Sequence, residues 1–245
     1  MQDAKIRLYV EQPLAPGQAV VLSRDQAHYL FTVMRLGAGA QVLLFNGRDG
    51  EWRAKVAEAG RHGGVLTCGA QTRALQAPPD LWLLFAPLKK VRTDFIVEKA
   101  VEMGVARVVP VQTAHTNADR IRHDRLQAHA VEAAEQCGAT FVPQVASLVA
   151  LDRLLADWPA ERHLLWADET LAGAHAALQA AGRGDPWAVL IGPEGGFDPA
   201  EGDRLRALPF VTTASLGPRI LRADTAAIAA LTIWQAAKGD WLTAS

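Results

Sequence analysis

The rhythm of hydrophobic and polar positions changes once along this chain, near residue 77. Before that point, short apolar runs alternate with turn-forming residues. Ile6–Val10, Ala19–Leu22, Val42–Phe45, Trp52–Val56 and Val65–Cys68 are runs of this kind, and their length and spacing predict strands. Asn46-Gly47 and Asp49-Gly50 stand between two of them and suit a tight hairpin. One helix is expected, from Asp25 as N-cap to about Leu36, with Gly37 ending it. The segment reads as a small β-barrel.

Ala77-Pro78-Pro79-Asp80 is the best linker, because two prolines interrupt both helix and sheet. Beyond it, Leu81–Ala86 is continuously apolar, as in a strand buried on both faces of a parallel sheet. A helix is predicted over Arg92–Met103, closed by Gly104, then a strand at Val108–Val111. Asp119–Cys137 reads as a long helix capped by Gly138. Further strands are expected at Phe141–Val145, His163–Trp166, Trp187–Ile191 and Val211–Leu216, with helices between them. An Ala-rich helix over Asp224–Lys238 comes last. Such alternation predicts an open α/β sheet. The expected domains are therefore 1–77 and 78–245.

Composition narrows the class. Half of the residues are hydrophobic, enough for a sizeable core. The longest apolar run, Leu81–Leu88, is far short of the roughly 20 residues that cross a membrane. Met1–Val10 has no apolar signal-peptide core. A soluble cytoplasmic protein is expected. Cys68 and Cys137 lie far apart without CxxC spacing, so they read as small core residues rather than as a disulfide or zinc ligands. The net charge of −1 argues against a general nucleic-acid binder. Its distribution is uneven, +3 over residues 1–77 and −4 over 78–245, which favours the first segment as the one that meets an anionic partner.

Two segments carry candidate chemistry. Ile191-Gly192-Pro193-Glu194-Gly195-Gly196-Phe197 ends an apolar strand, the place where α/β sheets bind ligands. Glycines there let the backbone approach a ligand closely. Asp198-Pro199-Ala200-Glu201 then opens a helix with N-cap, N1 proline and N3 glutamate. The segment is neither a P-loop nor GxGxxG; the bland alternative is a tight strand-to-helix turn. The second segment, Leu216-Gly217-Pro218-Arg219-Ile220-Leu221-Arg222-Ala223-Asp224-Thr225-Ala226, also joins a strand end to a helix. Asp224 or Thr225 can cap that helix. Two arginines suit a carboxylate or phosphate, and Ile220-Leu221 suit a flat base. The alternative is a solvated loop with a helix cap.

Taken in order, these two segments resemble the paired C-terminal motifs of the 16S ribosomal RNA uridine-N3 methyltransferases, the RsmE family of the SPOUT superfamily. The likeness extends over nearly the whole chain. Lys99-Ala100-Val101-Glu102-Met103-Gly104-Val105 looks like the family's K-A-x-E-L-G-V helix end. Glu132-Ala133-Ala134-Glu135-Gln136-Cys137-Gly138 looks like its E-A-A-E-Q-S-G segment, and His28 with Met34-Arg35-Leu36 like its H-H-L…V-L-R pattern. The chain departs from the pattern at Asp224, where glutamate is usual, at Ala139, where arginine is frequent, and in having a single histidine, His28, in place of a pair.

The resemblance implies a PUA-like RNA-binding barrel over 1–77 and a SPOUT domain with a C-terminal trefoil knot over 78–245. It implies S-adenosyl-L-methionine (SAM) as cofactor, no metal, a homodimer, and 16S rRNA, within the 30S subunit, as partner. SAM is expected at Ile191, Gly192, Pro193, Glu194, Gly195, Gly196, Leu216, Gly217, Pro218, Ile220, Leu221 and Arg222. Methylation of uridine N3 requires loss of the N3 proton. Arg222 is the candidate to stabilise the resulting anion, unless it holds the SAM carboxylate or only ties the loop. Arg7, Arg24 and Arg35 are candidates for RNA phosphates, and Arg120, Arg122 and Arg125 form a second basic stretch. Ile228, Leu231 and Trp234 on the last helix offer either a dimer surface or a core face. A Rossmann-type enzyme is disfavoured, since residues 86–91 contain no glycine. The rival from a different class is a non-catalytic RNA-binding protein with a vestigial SAM pocket.

Overall fold

The computed structural model describes residues 6–60, 62–117, 121–168 and 184–242. Asp119, Arg120 and most of the stretch between His163–Trp166 and Trp187–Ile191, where a helix is expected, lie outside them. The chain divides into two compact units. The first is Met1–Ala77 with Ala134–Val142; the second is Pro78–Ala133 with Pro143–Ser245.

All five strands expected in the first unit form: β1 (Arg7–Tyr9), β2 (Ala19–Val21), β3 (Gln41–Phe45), β4 (Glu51–Gly60) and β5 (Gly63–Arg73). Their order is β1-β3-β4-β5-β2, with β1 parallel to β3 and the other pairs antiparallel. Alternation sets the faces: Trp52, Ala54 and Val56 are buried, whereas Arg53 and Lys55 are not. Val10, Val20, Leu30, Val42, Leu44 and Leu66 make the centre of the core. Among the described residues no ladder joins β1 to β2, so the small barrel stays open between these two strands. Side chains bridge those edges instead: Gln12 donates to the Val21 carbonyl, and Gln26 to that of Tyr9. In the β3–β4 connection the Asn46 side chain accepts from the amides of Arg48 and Asp49, and Gly47 and Gly50 take positive φ.

The expected helix starts earlier and ends differently. Ser23, not Asp25, is the N-cap of α1 (Arg24–Ala27), because Ser23 and Gln26 complete a capping box. A π-helical turn, His28–Val33, follows. Arg35, at φ 55°, rather than Gly37, takes the left-handed conformation that reverses the chain. The Leu36 amide then closes on the Leu30 carbonyl.

A buried charge cluster draws 134–142 into this unit. Glu51 accepts from Arg7 Nε at 2.7 Å and from Arg73 Nη2 at 2.6 Å, and Thr72 donates to its other oxygen. Arg7 also donates to the carbonyls of Ala134, Glu135 and Ala139, and Arg73 to that of Gly138. Burial alone would raise the Glu51 pKa. The hydrogen bonds from Arg73, Arg7 and Thr72 outweigh it and bring the value down from 4.5 to about 2.

The second unit is a parallel sheet of β6 (Leu81–Phe85), β7 (Arg107–Gln112), β8 (Gln144–Val145), β9 (Val149–Ala150), β10 (His163–Ala167), β11 (Trp187–Ile191) and β12 (Val211–Ala214). The order is β12-β10-β11-β6-β7-β8, with β9 pairing the far end of β7. Every residue of β11 is buried, as its unbroken apolar run predicts. The strand expected at Phe141–Val145 is only Gln144–Val145, because Phe141 and Val142 belong to the first unit. The helices are α2 (Lys90–Glu102), α3 (His123–Cys137, which ends in the first unit), α4 (Leu151–Ala156), α5 (Pro199–Ala207) and α6 (Ala223–Lys238). Leu231 and Trp234 of α6 are buried in the core, whereas Ile228 is partly exposed. Cys68 is a core residue as expected; Cys137, in the last turn of α3, is exposed instead. Among the described residues no helix is long and apolar enough to cross a membrane.

Candidate active site

Three neighbouring strands, β12, β10 and β11, deliver their carboxyl ends to one cavity of about 340 Å³. That size lies within the range of small-molecule sites, roughly 300–1,000 Å³. Both glycine-bearing segments line it. Ile191, Gly192, Pro193, Glu194 and Gly196 come from the first, and Leu216, Gly217, Ile220 and Leu221 from the second. Gly195, Pro218 and Arg222 do not line it.

The first loop is shaped by its glycines and by the helix behind it. A side chain at Gly192 would meet the Phe197 ring at 2.5 Å, so only glycine fits there. Phe197 in turn packs edge-on against Trp166 at the end of β10. Gly196 has φ 70°, in the left-handed region. The helix signal after the loop is realised in full: Asp198 and Glu201 form a capping box and Pro199 opens α5. Glu201 also accepts from the Ala114 amide, and the His115 ring contacts the Gly195 carbonyl at 3.2 Å. The loop after β7 thus braces the first glycine loop.

In the second loop, Gly217 has φ 110° with open space where a side chain would point. Ser215 Oγ accepts from the Gly217 amide at 3.2 Å. Ile220 is 84 % exposed, a large apolar residue displayed to solvent at the cavity. The cap expected at Asp224 or Thr225 is instead the backbone of Arg222, without a side-chain cap, and Asp224 lies in the first turn of α6. Among the described residues the exposed Arg222 side chain has no hydrogen-bond or ion-pair partner, and Arg219, also exposed, lines the cavity.

Several cavity groups were not foreseen. Asp168, just past β10, is buried and pairs with Arg206 of α5 at 3.0 Å. Arg206 also lies 5.3 Å above the Trp166 ring. Arg92, in the first turn of α2, pairs with Glu194 of the first loop and stands 3.8 Å from Asp224 beyond the second. The strand-end acid Asp168 carried the one readable signal, since side chains at that position face the ligand side of an α/β sheet.

The RNA candidates separate. Arg24 and Arg35 are exposed in the first unit. Arg7 is not available, because its guanidinium is engaged by Glu51 and three carbonyls. In the second unit, Arg122 pairs with Asp124 and Arg125 with Asp94.

The model of the RNA methyltransferase domain matches residues 76–235, and that of the RNA methyltransferase PUA domain matches 22–67. The chain belongs to the RNA methyltransferase family of the RsmE type. It is 27 % identical to the ribosomal RNA small subunit methyltransferase E of Rickettsia conorii over 92 % of this chain and 93 % of that one. A putative methyltransferase of Legionella pneumophila, solved with SAM, superposes with a TM-score of 0.85 at 29 % identity, covering 96 % of this chain and 98 % of that one. The ribosomal RNA small subunit methyltransferase E of Neisseria gonorrhoeae, also bound to SAM, gives 0.85 at 26 %, covering 96 % and 99 %.

Proposed function

We propose that the protein transfers a methyl group from SAM to N3 of a uridine in 16S ribosomal RNA, in the cytoplasm, with the 30S subunit as substrate. The observation that carries this reading is the cavity at the ends of β10, β11 and β12, which gathers both glycine loops in a chain of the RsmE type. The residues present fit SAM. Gly192 and Gly196 line the cavity and Gly217 has open space where a side chain would point, Leu216, Ile220 and Leu221 offer apolar contact for adenine, and Asp168, Arg206 and Arg219 offer charge for polar groups. SAM, when bound, supplies an electrophilic methyl on a sulfonium.

The chain's own residues have two further tasks. Uridine N3 must lose its proton, and the anion that develops on the ring must be stabilised. Arg222, exposed and among the described residues without a partner, is our candidate to donate to a uracil carbonyl. Arg24 and Arg35 supply phosphate contacts from the first unit. The threaded knot and the homodimer implied by the family belong to the same reading. The test is direct. Purified protein, methyl-labelled SAM and 30S subunits or free 16S rRNA from a strain lacking the gene are combined, and the RNA is mapped by mass. A single new N3-methyluridine is the expected result; no label in either RNA overturns the reading.

A further inference from the structure

We propose that Arg92 is a positioning residue that latches the two cavity loops to each other. The proposal rests on the assignment of the cavity to SAM and deepens it. The pattern of the chain marks Arg92 only as the start of a helix. In the structure it has two acidic neighbours on different loops: Nη1 donates to Glu194, which lines the cavity, and Nε lies 3.8 Å from Asp224. Glu194 stands between Gly192 and Gly196, and Asp224 stands two residues beyond Arg222. One rigid guanidinium thus fixes both the loop that shapes the cavity and the backbone that carries Arg222.

Arginine suits the task because its planar fork can address two acids at once, whereas an ammonium is a single point of charge. It also offsets like charge. Without Arg92, two carboxylates near one point would repel each other and an approaching phosphate. Arg92 is about two-thirds covered and Asp224 more so, which shields that side of the latch, whereas the Glu194 side is open to solvent. It is anchored in the first turn of α2, a 13-residue helix whose Ile96, Val97, Ala100 and Val101 are buried. The latch therefore has a firm base.

Three measurements test this on the full-length protein. In Arg92→Ala, amide hydrogen exchange in both 192–197 and 216–222 should speed up together in the absence of any ligand. SAM affinity by calorimetry should fall by roughly ten-fold, the scale of a lost charge-assisted hydrogen bond. The single-turnover rate at saturating SAM should fall as well, and Arg92→Lys should restore only part of each loss. In a Glu194→Gln, Asp224→Asn background, Arg92→Ala should add little, because its partners are already gone. Unchanged exchange in either loop overturns the latch, as does a full additional loss in that background, which would mean that Arg92 acts on the substrate itself. Wild-type protein that fails to bind SAM would sink the assignment of the cavity, while the exchange measurement still reads the latch.

Discussion

Glu51 in the first unit and Arg92 in the second are centres of three-residue charge clusters of opposite composition. One places an acid between two arginines; the other places an arginine between two acids. The Glu51 side chain is 4 % exposed, Arg7 spends its remaining donors on main-chain carbonyls and Arg73 adds a bond to that of Gly138, so that cluster is closed around its acid. Glu194 is 47 % exposed and lines a cavity, so the Arg92 cluster is open on one side. Burial, not charge count, separates an arginine that builds the fold from one able to serve a site. Arg7 and Arg222 make the same point: the first has its donors spent inside, the second keeps its fork in solvent.

The comparison is broken most severely by removing the closed centre. Glu51→Gln leaves Arg7 and Arg73 short of a counter-charge and should destabilise the protein by about 3 kcal/mol or more, the usual range for one partner of a buried pair. Chemical denaturation checks this. The same centre gives a pH dependence. Because the folded pKa of Glu51 is depressed from 4.5 to about 2, its contribution is present above pH 4.5 and is lost as pH falls toward 2. An acid titration of wild type should therefore show a loss of stability in that window that Glu51→Gln lacks.

At the open side the expected effect is on rate. Arg222→Ala should lower the single-turnover rate by on the order of 10²–10³, as for loss of one donor to a developing anion, with little change in SAM affinity. A fall in affinity alone would make Arg222 a cofactor ligand. An unchanged rate at saturating SAM would remove it from catalysis. Gly217→Val should act on binding instead. It forces a branched residue to φ 110° and fills space beside the cavity, so SAM affinity should drop by about ten-fold or more. Calorimetry on protein whose circular dichroism matches wild type measures it.

What could be read in advance was local chemistry. The two glycine loops and the Asp198-Pro199-Ala200-Glu201 helix start depend on neighbours within a few residues, and they stand where the pattern puts them. The strands of both units followed from run length and alternation. What could not be read depends on partners far along the chain. Arg92 meets Glu194 across 102 residues, Arg7 meets Ala139 across 132, and Asp168 meets Arg206 across 38. Counting charge treats every arginine as free, so sequence alone cannot separate Arg7 from an RNA contact. The π-helical turn at His28–Val33 was read as plain α-helix because the two share nearly the same hydrophobic spacing over so short a length.

The smallest expected effect sharpens the contrast between closed and open arginines within the first unit. Arg24 and Arg35 are exposed, whereas Arg7 is tied to Glu51 and to main-chain carbonyls. If the first unit grips RNA through phosphates, replacing Arg24 or Arg35 by Ala should weaken RNA binding only a few-fold. Each replacement should reduce the slope of log affinity against log salt by about one phosphate's share, roughly 0.7–0.9. Thermal stability should barely move for Arg24, because an exposed residue in a helix tolerates Ala well. Arg35 differs: it occupies φ 55°, a conformation glycine adopts freely and alanine does not. Arg35→Gly is therefore the cleaner variant, removing the charge without adding strain. Arg7→Ala should do the reverse, costing stability while leaving the salt slope of the folded protein as it was. Binding titrations at several salt concentrations decide the matter. Equal slopes for wild type, Arg24→Ala and Arg35→Gly would place the RNA contacts on another surface, and a reduced slope for folded Arg7→Ala would undo the division between the two kinds of arginine.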